Sequence, residues 1–409
     1  MIQIPSNRFD LMAKYLYIKS KDKEYATEFF KTLYHKHLIT FNNCWEHPGI
    51  KTNIKQFFIH FDILINNIKT AGFNKDYPIT INNKGMLVNG AHRLMTSYYY
   101  NIQPHILTIQ EDSSPYDYRF FLYRNQWPPL EQIYADRMAL EYIQVQKNIR
   151  SMIIYPVAAY DSEKLRILEQ IVSQYGYIYY KKQINLNQQG VNNLIKELYR
   201  EEEWIGGLFP RGYSPGGKAQ RCVANKPTIL LLIDMKDLSK LVELKNKCRN
   251  LFNLGKHSLH ISDETKDTFR IGSSLLNKHS IHFLNHGSND ITEHTKYLLA
   301  KYFKHVDTTR EDYCLTSSLI LEMYHLRQAK DIDYLHTTNN NIQIEDIGVH
   351  DGIWETYYGI HKDEIIYNPN NHFYFNGFKF ATLDIIKKMK QNRNEVKDQR
   401  DIALIQSIN

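Results

Sequence analysis

Two aspartates separated by a single isoleucine, Asp331-Ile332-Asp333, constrain this chain more than any other stretch. They open the run Asp-Ile-Asp-Tyr-Leu, which reads as a strand. On a strand, residues i and i+2 point to one face, so the two carboxylates project together. Carboxylates that close repel unless a cation lies between them, and a set of oxygen ligands suits Mg²⁺. Upstream, Tyr313-Cys314-Leu315-Thr316 reads as an apolar strand that delivers Ser317-Ser318 to a short helix. Small residues at a helix start let backbone N–H groups approach a phosphate. The pattern places a metal-bound triphosphate between Ser317-Ser318 and the metal ligands Asp331 and Asp333, with Arg327 neutralising phosphate charge. The plainer alternative is a capped helix followed by a solvent-facing acidic strand end. Candidates for a third carboxylate are Glu345, Asp346 and Asp351, of which Asp346 is taken as the catalytic partner of Asp331 and Asp333.

The tail adds ordered motifs. Phe378-Lys379-Phe380-Ala381-Thr382-Leu383 precedes a helix with Lys387, Lys388 and Lys390, followed by Arg393 and Lys397-Asp398-Gln399-Arg400-Asp401. Residues 310–405 resemble the AbiEii/MNT-like nucleotidyltransferases of the polymerase β superfamily. Ser317-Ser318 stands for that family's small-residue pair, Asp331 and Asp333 for its D-x-D, and Lys390 with Asp398 and Asp401 for its late motif. The resemblance implies Mg²⁺-dependent transfer from a nucleoside triphosphate to a hydroxyl or phosphate, with Lys390 among the phosphate-binding residues. Glycine is missing from the small-residue pair, which makes the backbone's approach to a phosphate tighter than usual.

A second anion pocket is legible near the N-terminus. Pro78-Ile79-Thr80-Ile81 and Met86-Leu87-Val88 read as strands around a turn. Asn89-Gly90-Ala91-His92-Arg93 then opens a helix. Backbone N–H, imidazole and guanidinium meet within one turn, a compact phosphate pocket of Gly90, His92 and Arg93. Residues 55–110 resemble the ParB/sulfiredoxin superfamily. Sulfiredoxin chemistry needs a cysteine where this chain has Ala91, and no DNA-reading helix-turn-helix follows. What the resemblance leaves is a kinase-like or nucleotide-binding role. A kinase needs a carboxylate base near the acceptor, for which Glu46, Glu111 and Asp112 stand as candidates. The ordinary alternative is a helix start with common polar residues.

Composition bounds these readings. The chain has 409 residues, enough for two or three domains. Its net charge of +7 favours anionic partners but is mild for a nucleic-acid binder. The four cysteines are far apart, which argues against a zinc site or a disulfide framework. No signal peptide or membrane span is expected, and the cytoplasm is the expected compartment.

Two signals are discounted. Residues 212–219 have Walker A spacing but end in Ala219 where Ser or Thr is required; a glycine-rich loop with Arg211 and Lys218 is the preferred reading. His257, His260, His279, His282 and His286 flank expected strands at Ser258–Ile261 and Ser280–Leu284, and on strands i and i+3 face opposite sides. A helix capped by Ser262 is expected over 263–277.

The expected fold class is α/β and α+β. A ParB/sulfiredoxin-like nucleotide-binding domain spans 1–150, an α/β domain 151–300, and a nucleotidyltransferase-like module 301–409. The expected activity is Mg²⁺-dependent nucleotidyl or phosphoryl transfer from ATP or CTP to a small hydroxylated or phosphorylated acceptor, such as a sugar or polyol of a surface polysaccharide. Two other classes stay open: a toxin-like nucleotidyltransferase acting on RNA or protein, and a ParB-like DNA-associated protein with a degenerate transferase module.

Overall fold

The computed structural model describes all residues except 1–3, 47–48, 50, 201, 203–216, 288–290, 306–310, 338–344 and 409. The chain is mixed α/β and divides into two compact units, Met1–Lys147 and Asn148–Asn409. The expected 151–300 and 301–409 segments thus lie within one unit.

The first unit runs α1 (Leu11–Asp22), α2 (Phe29–Asn42), α3 (Ile54–Ala71), β1 (Ile79–Asn82), β2 (Leu87–Asn89), α4 (Ala91–Tyr99), β3 (Ile106–Ile109), α5 (Tyr118–Leu122) and α6 (Gln132–Val145). Helix α3 shows how local chemistry sets boundaries. Asn53 accepts a hydrogen bond from the Gln56 N–H at its start, and Gly72, with φ of +80°, ends it. Its buried residues Phe57, Phe61, Ile65 and Ile68 recur at three- and four-residue steps, one stripe facing the core. The sheet order is β2-β1-β3, with β1 antiparallel to β2 and parallel to β3.

The second unit begins with β4 (Ile149–Ile154), α7 (Ser162–Tyr175), β5 (Gly176–Ile184), α8 (Gln188–Leu198), α9 (Lys218–Cys222), β6 (Thr228–Met235), α10 (Leu241–Phe252) and β7 (Leu259–Ile261). These four strands form an antiparallel sheet of order β5-β6-β4-β7. Helices α11 (Thr265–Leu275), α12 (Lys278–His286) and α13 (Glu293–Phe303) follow. The last part comprises β8 (Tyr313–Thr316), α14 (Ser318–Met323), β9 (Ile332–His336), β10 (Ile347–Val349), α15 (Ile353–Thr356), α16 (Lys362–Tyr367), β11 (His372–Phe375), β12 (Phe378–Ala381), α17 (Leu383–Arg393) and α18 (Val396–Gln406). Its mixed sheet has the order β10-β9-β8-β12-β11, with β8 antiparallel to β9 and parallel to β12.

Two expectations are corrected. Ser280–Leu284 is helical, inside α12, because Asn277 caps it by accepting from the His279 and Ser280 N–H groups. Ser262 does not cap α11. Its hydroxyl accepts from the Ser151 N–H and pairs with Thr268, and the N-cap position falls to Glu264.

Candidate functional sites

In the second unit the serine pair and the aspartate pair meet. Strands β8 and β9 lie side by side with Thr316 opposite Asp333, so the turn after β8 sits beside the start of β9. The Ser318 hydroxyl donates to Asp331 Oδ1 at 3.3 Å, and the Ser317 side chain is near enough to Asp333 to favour its ionised form. Asp331 is exposed, Asp333 half-buried, and Ile332 between them is buried, as alternation on a strand requires. Ser317 has φ of +62° and ψ of −139°, backbone that glycine adopts readily and serine does not. The missing glycine is therefore replaced by a strained serine that keeps the turn.

Asp333 has a partner that spacing does not signal. His350 Nε2 lies 3.4 Å from Asp333 Oδ2, and His350 Nδ1 lies 2.6 Å from the Tyr358 hydroxyl, which meets Thr316 Oγ1 at 2.9 Å. Burial would raise the Asp333 pKa, but His350, Ser317 and the Arg393 charge together hold it below the ordinary carboxylate value. Trp354 stacks on His350 with centroids 5.2 Å apart.

The late motif forms a buried charge cluster. Lys390 is ion-paired with Asp401 at 2.6 Å and Asp398 at 3.4 Å. Arg327 makes two hydrogen bonds to Asp401, and Arg393 two to Asp398. The sequence pattern assigns Lys390 to a phosphate; the structure places it 1% exposed between two carboxylates. Arg327 directs its fork at Asp401 while lying close enough to act electrostatically on Asp331.

Asp346 is exposed, with φ of +64°, and its carbonyl accepts from the Ile332 N–H. Glu345 and Asp351 are exposed as well. On β10 the residue in register with Asp333 is Gly348, where an added Cβ would stand 3.1 Å from Asp333 Oδ1, so no carboxylate occupies that position. Among the described residues, no three His, Cys, Asp or Glu side chains converge as a metal-holding group.

In the first unit, Gly90, His92 and Arg93 line one cleft of 710 Å³, within the range of small-molecule sites. Gly90 has φ of +95° and begins α4 without a side-chain cap on the helix N-terminus. His92 Nε2 meets the Tyr34 hydroxyl at 2.8 Å, and its ring stands edge-on to Phe61. Burial, with Lys14 and Lys51 nearby, holds the His92 pKa well below its usual value, so the ring is neutral. Arg93 donates to the Tyr77 carbonyl at 2.8 Å. Glu46, ion-paired with Lys51, lines the same cleft; Glu111 and Asp112 are exposed and do not. Phe57, Phe61, Phe73 and Tyr77 supply aromatic walls.

The glycine-rich segment with Arg211 lies largely outside the described residues. Lys218 is described, with its ammonium over the Tyr155 and Tyr199 rings and bonded to the Lys256 carbonyl. His260 is half-buried and bonded to the Tyr199 hydroxyl, its pKa pushed down to about 3 chiefly by desolvation.

No family model, curated protein or solved structure matches this chain.

Proposed function

We propose that the second unit is a nucleotidyl- or phosphoryl-transferase of the polymerase β type, acting on a nucleoside triphosphate and a small hydroxyl acceptor. The observation that carries this reading is the contact of Ser318 and Ser317 with Asp331 and Asp333. A strained turn touching two carboxylates is costly for stability, and such strain concentrates at functional sites. The donor set is oxygen only, and Mg²⁺ is commonly held by one or two carboxylates plus substrate phosphates, so a pair without a third carboxylate fits it. Asp331 and Asp333 would hold the ion, which would supply charge neutralisation at the phosphates. The N–H groups opening α14 would position a phosphate, and His350 would fix the orientation of Asp333. Arg393, tied to Asp398, would keep a positive field beside the site. A sugar or polyol of a surface polysaccharide is the acceptor class this reading takes.

The first unit, in this reading, is a ParB/sulfiredoxin-like domain whose cleft binds a nucleotide. The uncapped α4 N-terminus would take phosphate and the aromatic walls the base. Glu46 favours a second reading, in which this cleft transfers a phosphoryl group itself, with Glu46 as base.

Incubation with α- and γ-labelled ATP or CTP, Mg²⁺ and a panel of sugars and polyols separates the two. Loss of turnover in Asp331→Ala/Asp333→Ala with retention in Glu46→Gln supports the first reading. The reverse result replaces it with the second.

A further inference from the structure

The helical state of α12 changes what its histidines can do. On a strand, His282 and His286 would stand about 13 Å apart along the chain. On a helix, i and i+4 stack one turn apart. Their ring centroids are 4.4 Å apart with planes at 28°, and both side chains are exposed. The opposite face of α12 is anchored by buried Ser280, Phe283 and Leu284, so the pair stands on a fixed backbone.

The hydrogen bonds orient the two rings. His286 Nδ1 lies 2.9 Å from the His282 carbonyl oxygen, which requires the proton on Nδ1 and leaves the lone pair on Nε2. His282 Nδ1 lies 3.3 Å from the Tyr324 hydroxyl, an oxygen able to accept its proton in the same way. Metal-binding histidines characteristically donate the second ring N–H to a carbonyl or other oxygen, which fixes tautomer and orientation. Among the described residues neither Nε2 has a hydrogen-bond partner. Asp384, exposed in the first turn of α17, acts electrostatically on His282.

We propose that His282 and His286 chelate a divalent transition ion through their Nε2 atoms, with water completing the shell and Asp384 accepting a hydrogen bond from one of those waters. Imidazole ligands select Zn²⁺, Ni²⁺ or Cu²⁺ over Mg²⁺, so this site is chemically separate from Asp331 and Asp333. Partial desolvation and the neighbouring His286 lower the His282 pKa, which favours the neutral, ligating form. An ion bound here links α12, through water, to α17, the helix that carries Lys390 and Arg393.

The test uses the full-length, tag-free protein, titrated with Zn²⁺ by calorimetry and with Cu²⁺ by electron paramagnetic resonance. The expected result is one equivalent bound, with hyperfine coupling to two imidazole nitrogens. His282→Ala and His286→Ala each weaken binding by more than the roughly 10–100-fold typical of outer-shell changes, and Asp384→Asn weakens it less. All three side chains are exposed, so melting of the metal-free variants stays at the wild-type temperature. Asp331→Ala/Asp333→Ala leaves the binding intact. Absence of stoichiometric binding in the wild type, or unchanged binding in the double histidine variant, overturns the proposal.

Discussion

Ser317 gives the most discriminating stability prediction. At φ of +62° and ψ of −139° its backbone lies where a Cβ is strained, at a cost of about 1–3 kcal/mol. Ser317→Ala keeps the Cβ and loses the hydroxyl near Asp333. Ser317→Gly loses the same hydroxyl and also the strain. The loss of the hydroxyl cancels between the two variants. What remains is the strain relief less the extra unfolded-state entropy of glycine, roughly 0.5–1 kcal/mol. The glycine variant is therefore expected to be more stable than the alanine variant by up to about 2.5 kcal/mol, the reverse of the order at ordinary positions. Urea denaturation of both variants, followed by circular dichroism and compared at equal m-values, measures the difference. An alanine variant more stable than the glycine variant would refute the strained turn and with it the match to the glycine position of the polymerase β-type motif.

Three further expectations concern the buried charges and the cleft. Lys390→Met leaves each carboxylate of the cluster with its arginine and should cost less than the roughly 3–5 kcal/mol of a broken buried pair; Asp398→Ala removes both hydrogen bonds of Arg393 to that carboxylate and one partner of Lys390 and should reach that range in the same denaturation assay, while nucleotide affinity in Lys390→Met stays at the wild-type value. Burial alone would raise the pKa values of Asp398 and Asp401, yet Arg393 and the Glu395 N–H for one, and Arg327 and Lys390 for the other, hold both below the ordinary value. Their stabilisation is therefore fully present above the unfolded carboxylate pKa of about 3.9 and is lost as pH falls through the lower folded values; thermal melts across acid pH should show this loss, and Asp398→Asn/Asp401→Asn should flatten it. Gly90→Ala puts a Cβ 3.2 Å from both the Arg93 guanidinium and the Ile79 backbone at a positive φ, so it should destabilise by about 1–2 kcal/mol and weaken nucleotide binding in the first unit by titration calorimetry.

What is legible in the sequence is local. Ser317-Ser318 and Asp331-Ile332-Asp333 can be placed together because one short helix joins two strands, and neighbouring strands so connected tend to pair. Gly90 is legible because a positive φ before a helix leaves few residue choices. Lys390, Asp398 and Asp401 are recognisable as a motif, but their role is not, since spacing on α17 and α18 does not say whether a lysine faces a ligand or a carboxylate. His350 carries no sequence signal because its partner lies across β9 and β10, where no interval marks the pairing. Residues 280–284 read as a strand because a few alternating apolar and polar residues satisfy both periods, and the deciding signal is the cap at Asn277. Strand β5 is hidden because it follows α7 directly, with Gly176 as its sole punctuation.

In the proposed reading, Asp331 and Asp333 serve Mg²⁺-dependent transfer. Its most direct test is pyrophosphate and phosphate release from ATP and CTP, with Mg²⁺ and acceptor present, by the wild type and by Asp331→Asn/Asp333→Asn. Mg²⁺-dependent release is expected to fall at least about a hundredfold in the variant, equivalent to about 2.7 kcal/mol of transition-state stabilisation, while circular dichroism shows the variant folded at the assay temperature. Release that proceeds undiminished in the folded variant would contradict that reading.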